Sequence, residues 1–439
     1  MGKAERFLDE VVRFEDQQIV HKLLMQCLGA CRLMHSMRTT RPDWIQQQLA
    51  QADASILNAW EESSGTALPP YARVQASFPV RLGGLGLRSA SRHCSAAYLA
   101  SRTNTRSLCQ AIDPDFVWDV SRDDAIQRAA AMYNSMLPAS DVLALSCFSI
   151  GDSKTDQKAL SAKLDEQAQK ELISKADISG QARLQAVAAP HAGAWMVAQP
   201  ARGLDQRMTH AEYTTATQLV LGAPLLGQDS WCPRCDQVLD RRCAHSLACM
   251  SGGDALRLHH ELRDSFYSKC LSAGMACERE QPGLLPDDPR RRPGDLYLPS
   301  WPGGPPAALD FAVTCPLQLS MLRATAASQL AAATEYEGEK FSDRDTADRC
   351  KAQGIRLIPM VAESFGGWGQ EAQKVFNTLG RQLATQSGTS HGEVVAQLYE
   401  HFSVKLMRAA ARSALGRSAD ASVAECCPQF DEAARLLFQ

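Results

Sequence analysis

The stretch Trp231-Cys-Pro-Arg-Cys-Asp-Gln-Val-Leu-Asp-Arg-Arg-Cys-Ala-His-Ser-Leu-Ala-Cys249 decides how the rest of the chain is read. It sets Cys232, Cys235, His245 and Cys249 at Cys-x2-Cys-x9-His-x3-Cys spacing, with Cys243 as a spare thiol that could replace one of them. Thiolate and imidazole at such intervals suit tetrahedral Zn²⁺, and a shell closed by four protein ligands is structural rather than catalytic. The competing reading is a set of buried free cysteines around a turn.

Working toward the C-terminus, Gly252-Gly253 breaks the chain. Leu258, Leu262, Phe266 and Cys270 then recur every four residues, which predicts a helix over 257–273 ended by Gly274. Glu278-Arg-Glu280 and a proline-rich loop lead to the basic run Arg290-Arg-Arg292. Two short apolar runs follow, 295–298 and 307–314, separated by Pro302-Gly-Gly304, and a connection this short predicts a hairpin. Each run carries one carboxylate, Asp295 and Asp310. An unpaired carboxylate inside an apolar run is costly to bury, and a cation at Asp310 would remove that cost. Asp295 alone reads equally well as a turn residue. Together they form a pair of hard oxygen ligands suited to Mg²⁺ or Mn²⁺, the ions that assist phosphodiester cleavage. A third strand over 356–362 is expected to pair in parallel across an intervening helix.

Upstream of the cluster the signals are helical. Apolar residues recur three to four apart through residue 65, and Arg32, His35, Arg38 and Arg41 step along one side of a segment. That stripe is either a solvated face or a phosphate contact. Gly83-Gly-Leu-Gly86 lacks both a preceding strand and a Gly-Lys-Ser/Thr, so it reads as a loop into a helix rather than a phosphate cradle. Residues 153–156 are expected to cap a polar helix over 157–175. Downstream, Lys405, Arg408 and Arg412 line one side of a helix, either as a solvated face or as a contact to a DNA backbone.

The bulk properties bound the class. At 439 residues the chain has room for two to four domains. No apolar run approaches a membrane span, and the charged start Met-Gly-Lys-Ala-Glu-Arg carries no secretory core. A soluble, intracellular protein without a membrane partner is the expectation. Its 15 cysteines are scattered, which argues for reduced thiols rather than a disulfide framework. A net charge of −3 means that any basic surface for nucleic acid must be local.

Several motifs together resemble one family. The Cys/Cys/His/Cys set, "HHELRD", the acidic pair of "CERE", "RRPGDLYLP" and "ALDFAVTCPL" resemble the C-terminal part of non-LTR retrotransposon polyproteins that carry a restriction-like endonuclease. "FPVRLGGLGLRSA … AAYLAS" is similar to the segment beyond the polymerase palm, in and after the thumb, of the same elements. The resemblance implies a PD-(D/E)xK nuclease that nicks target DNA so that the freed 3′ end primes reverse transcription. It implies metal-ligand or catalytic roles for Asp295 and Asp310, with Glu278 or Glu280 adding an acidic group from the preceding helix end. Gly294 turns the usual Pro-Asp into Pro-Gly-Asp, and Ala312 stands where the strand lysine would be. The following helix, read as running from 317 to 340, would supply Lys340 instead, with Tyr336 on the same face. Implied cofactors are structural Zn²⁺ and catalytic Mg²⁺ or Mn²⁺. Implied partners are target DNA, element RNA and the polymerase part of the element, in the nucleus. No Phe/Tyr-x-Asp-Asp occurs, so the chain is not expected to polymerise alone.

The resulting expectation is an α+β protein. A helical thumb-like region (1–135) and a helical linker (136–228) precede a zinc knuckle (229–256), a restriction-endonuclease-like mixed core (257–370) and a helical extension (371–439). The alternative function is a catalytically inactive nucleic-acid-binding module.

Overall fold

A computed structural model describes residues 2–149 and 155–426. Ser153 and Lys154 of the expected cap, and residues 427–439 of the expected extension, lie outside the described residues. The chain is mixed α and β, with helices predominating over one two-stranded and one four-stranded sheet. It divides into two compact units after Ala176, within the stretch read as a linker.

The first unit contains α1 (Gly2–Val12), α2 (Gln17–Leu23), α3 (Met34–Thr39), α4 (Pro42–Ser64), α5 (Pro70–Ala76), α6 (Ala90–Ile112), α7 (Asp124–Asn134) and α8 (Gln157–Lys175). Short polar side chains start these helices: Asp16, Ser89, Asp123 and Asp156 each accept a first-turn amide. The glycine loop spends its own amides internally, Leu85 N–H on Ala76 and Gly86 N–H on Phe78, and so has none to offer a phosphate. Its glycines are steric, since a Cβ on Gly84 would sit 2.2 Å from the Phe78 carbonyl. Most of the basic stripe is tied internally. Arg32 stacks over Phe7, Arg38 donates to Gln157, and Arg41 bridges Asp43 and Asp124.

The second unit opens with α9 (Ile178–Val187), α10 (Ala194–Val197) and α11 (His210–Leu221), then the hairpin β1 (Ser230–Trp231) and β2 (Val238–Leu239). Next come α12 (Asp254–Ser272), β3 (Glu278–Arg279), β4 (Leu296–Leu298) and β5 (Ala307–Thr314). Three helices cross over, α13 (Leu322–Ala327), α14 (Ala331–Ser342) and α15 (Thr346–Ala352), before β6 (Arg356–Glu363), α16 (Gln370–Ser387) and α17 (His391–Cys426). The sheet order is β3-β4-β5-β6, antiparallel except for the parallel β5–β6 pair. Pro359 is tolerated in β6 because β6 is an edge strand. Helices cover both faces, which is why β5 is apolar at almost every position. One face packs Leu296, Leu309 and Phe311 against Phe266 of α12, Phe376 of α16 and Phe402 of α17. The other packs Ala308 and Leu357 against Cys350 of α15, and Ala312 and Val361 against Leu330 and Ala333 beside α14.

Two expectations are corrected. Glu278 and Glu280 do not lie at a helix end: Gly274, at φ +68°, follows the end of α12, and Glu278–Arg279 form β3 against β4. The helix read as continuous over 317–340 is broken as well. Leu330 adopts φ +58° so that its side chain reaches the Ala189–Ala192–Val361 cluster, and α14 restarts after it.

Two of the three cations on the basic side of α17, Lys405 and Arg408, are buried. Lys405, only 5% exposed, bonds Asp205 at 2.6 Å and Glu261 at 3.0 Å. Arg408 bonds Asp205 at 2.9 Å, and Arg412 bonds Glu212 at 2.6 Å. These cations are paired with carboxylates of the same unit; Lys405 and Arg408 are buried, while Arg412 stays half exposed and is the one of the three open to a DNA backbone. Arg408→Ala should lower stability by about 1–2 kcal/mol in denaturant unfolding, because the bonds of a buried guanidinium to Asp205 and to the Asp205 and Arg207 carbonyls are lost. DNA affinity and its salt dependence should stay unchanged. Unaltered stability with weakened DNA binding would contradict this.

Candidate functional site

The Cys/His cluster is built by the hairpin and the turn after it. Cys232 N–H bonds Gln237 across the β1–β2 turn, bringing Cys235 back beneath Cys232. Asp240 then accepts the His245 N–H at 3.1 Å, and Cys249 N–H bonds the His245 carbonyl. The ligand atoms of Cys232, Cys235, His245 and Cys249 all lie within 4.8 Å of one another. Two sulfurs each about 2.3 Å from a tetrahedral ion would stand about 3.8 Å apart, and Cys235 and Cys249 stand at 3.7 Å. This group could hold a metal ion. Burial alone would push the Cys249 thiol up, but Arg417 beside it brings it below its usual value. Cys243, the spare, stands outside the group, buried, with its thiol pushed up to about 12 by that burial. Arg417 also anchors the cluster to α17 through Asp254, Ser251 and Ser413, and Ser413 donates to the Ser246 carbonyl.

The carboxylates form a row at the end of β3, the start of β4 and the middle of β5. Glu280 N–H donates to the Asp295 carbonyl and Asp295 N–H to the Leu309 carbonyl, both at 2.8 Å. Continuing the β3–β4 and β4–β5 registers by one step sets Glu280 beside Asp295 and Asp295 beside Asp310. All three line one polar cleft of about 370 Å³, together with Lys340, Arg292 and Asp343. Glu278 faces Tyr297 in the register and is exposed; it does not line the cleft.

Each carboxylate in the row already has a basic side chain as partner. Lys340 Nζ is 2.8 Å from Asp310 Oδ2. His259 Nε2 is 3.1 Å from Asp295 Oδ2, which also accepts the Phe311 N–H at 2.7 Å. Arg263 and Arg292 both bond Glu280. Burial pushes the Asp310 carboxyl above its usual range, against the pull of Lys340. Burial works against the Lys340 ammonium, yet Asp310 raises it. The Asp295 hydrogen bond raises His259. Lys340 also lies over the Tyr336 ring, 5.8 Å from its centroid, as their spacing predicts. Ala312 is buried against Leu330 and Val361, leaving no room for a lysine on the strand; Lys340 enters from α14 instead.

In kind, the carboxylate oxygens suit a hard divalent cation. Among the described residues, however, the Cys/His cluster is the one group that gathers three or more metal-ligand atoms. A cation at the row would take over from Lys340 and His259.

Sequence reading missed His259 and Arg263. Lying one turn apart on α12, they address neighbouring members of the row, and a basic i, i+4 pair ahead of an acidic pair was the available signal. It also missed Glu363, 0% exposed, whose Oε1 accepts the Ala333 N–H in the first turn of α14. Burial pushes this carboxyl up to about 7. A folded-state value raised above the unfolded one gives stability that is complete below about 4.5 and is lost as pH rises through about 7. Between pH 6 and 8 this group alone should lower stability by about 1.4 kcal/mol. Glu363→Gln should flatten that slope in pH-dependent unfolding, and an unchanged slope would contradict the assignment.

Compared with models of known protein families and with curated proteins, the chain matches none. Among the described residues no helix is long and apolar enough to cross a membrane.

Proposed function

We propose that this chain is a metal-dependent DNA endonuclease, the nuclease-bearing part of a non-LTR retrotransposon, nicking target DNA to prime reverse transcription. The observation that carries the reading is the row of Glu280 just after β3, Asp295 just before β4 and Asp310 within β5, with Lys340 beside it in one open polar cleft. The mixed sheet with Asp310 inside its central apolar strand is consistent with a restriction-like core. The four-ligand cluster is read as a structural Zn²⁺ knuckle, given its soft donors and the 3.7 Å sulfur spacing. Target DNA and element RNA are the partners under this reading, with the polymerase part of the same element, and the nucleus the place of action.

Asp295 and Asp310 are assigned to hold Mg²⁺ or Mn²⁺. When bound, such an ion supplies Lewis acidity that polarises the phosphate and makes water a better nucleophile. Lys340 then orients the attacking water and offsets the negative charge that builds on the phosphorus oxygens. Arg292, at the cleft rim, contacts the DNA backbone. Glu280 keeps Arg292 and Arg263 in place, since both guanidinium groups bond it.

A second reading has one observation in its favour. Every carboxylate of the row is bonded by a basic side chain of the same unit, as expected of an inactive nucleic-acid-binding module. Conversion of supercoiled plasmid to open circles decides between them. Nicking that requires Mg²⁺ or Mn²⁺ and stops with EDTA supports the nuclease. DNA binding without nicking in either metal supports the binding module.

A further inference from the structure

We infer that His259 is a positioning residue of the cleft, fixing the Asp295 carboxylate by a hydrogen bond from Nε2. The inference deepens the nuclease reading and rests on it for its consequence at the metal, but the contact itself is independent of that reading.

The geometry is specific. Asp295 Oδ2 receives two donors from different elements: His259 Nε2 at 3.1 Å from α12 and Phe311 N–H at 2.7 Å from β5. Two donors converging on one oxygen lock the rotation of the carboxylate and leave Oδ1 for the cleft that Asp295 lines. Because a carboxylate only accepts, Nε2 must carry the proton. In the neutral ring Nδ1 is then an acceptor, yet it is buried without a partner. A buried ring atom left unsatisfied is a cost, and packing alone does not explain why it is borne. The ring is 28% exposed, so it is no core filler. The helix that carries it is held by Leu262, Phe266 and Cys270, all fully buried, so the ring's place relative to β4 is set by the core. One turn further on, Arg263 reaches Glu280 in the same way, so this face of α12 acts as a template for the row.

A purely structural role would be to hold α12 to the sheet. The two roles separate in the replacement chosen. Glutamine keeps an N–H donor near the position of Nε2, and alanine removes it. We would measure Mn²⁺ binding to the full chain by the loss of free-ion EPR signal for the parent, His259→Ala, His259→Gln and Asp310→Asn, with unfolding midpoints alongside. The expected result is about tenfold weaker Mn²⁺ binding in His259→Ala, recovery to near the parent value in His259→Gln, and similar midpoints for the two variants. Parental binding in His259→Ala, or equal weakening in a folded His259→Gln, would overturn the inference.

If the parent binds no Mn²⁺ at a site sensitive to Asp310→Asn, the nuclease reading fails. The His259 contact is then judged by NMR of the metal-free protein. A protected Nε2–H resonance lost in Asp295→Asn upholds the contact, and identical imidazole spectra in both proteins overturn it.

Discussion

Asp310→Ala should abolish nicking while leaving DNA binding in place. Asp310 occupies the middle of the sheet, with Asp295, one residue before β4, on one side and Pro359 of β6 on the other. Burial pushes its carboxyl above the ordinary range, and the Lys340 ammonium 2.8 Å away pulls it back. Removing that carboxylate takes away one of the two oxygens assigned to the cation and frees the ammonium that should meet the phosphate. The predicted fall in nicking rate is on the order of 10³-fold or more. An unpartnered, half-buried lysine also lowers stability, so Asp310→Asn, which keeps volume and polarity, serves as the companion variant. Binding to DNA rests on surface cations, and in both variants it should keep the parental affinity and salt slope. Nicking by Asp310→Asn at the parental rate would mean that the chemistry lies elsewhere.

The second large effect is expected at the Cys/His cluster. The purified chain should carry about one Zn²⁺, and Cys235→Ser should carry none. Cys235 is the hub of the group, 3.2 Å from His245 Nε2 and 3.7 Å from Cys249 Sγ. The surrounding structure supplies little else: two-residue strands, a single turn of 3-10 helix and an exposed Trp231. A segment this short cannot bury enough apolar surface to hold itself, so loss of the metal should unfold it locally. The Arg417 contacts to Asp254 and Ser251 would loosen with it. Cys243→Ser is the control, since that thiol stands outside the group and its loss should leave the zinc content unchanged. Elemental analysis showing no zinc in folded, reduced protein would contradict the assignment.

Much of the site is written locally in the sequence. The cysteine and histidine spacing survives folding because the ligands come from one short hairpin and turn. Asp310 was conspicuous because a charge inside an apolar strand needs a partner. The absence of a strand lysine directed attention to Lys340, and the packing of Ala312 explains that absence. What remained hidden depends on register between distant elements. Helical spacing put Lys405, Arg408 and Arg412 on one face but carried no information about Asp205 and Glu212 waiting opposite them. His259 and Asp295 meet because the core fixes how α12 lies on β4, and no local pattern encodes that placement. The break at Leu330 was equally silent, since an alanine-rich run is helical by propensity and the interruption comes from tertiary packing.

The central claim is that Asp295 and Asp310 together hold a divalent cation in the cleft. Crystals of the full chain grown or soaked in Mn²⁺ test it most directly, through anomalous diffraction. The account predicts one manganese peak in contact with both carboxylates, with the Lys340 ammonium withdrawn from Asp310, and no such peak in Asp310→Asn. An empty cleft at saturating Mn²⁺, with Lys340 still on Asp310, would contradict it.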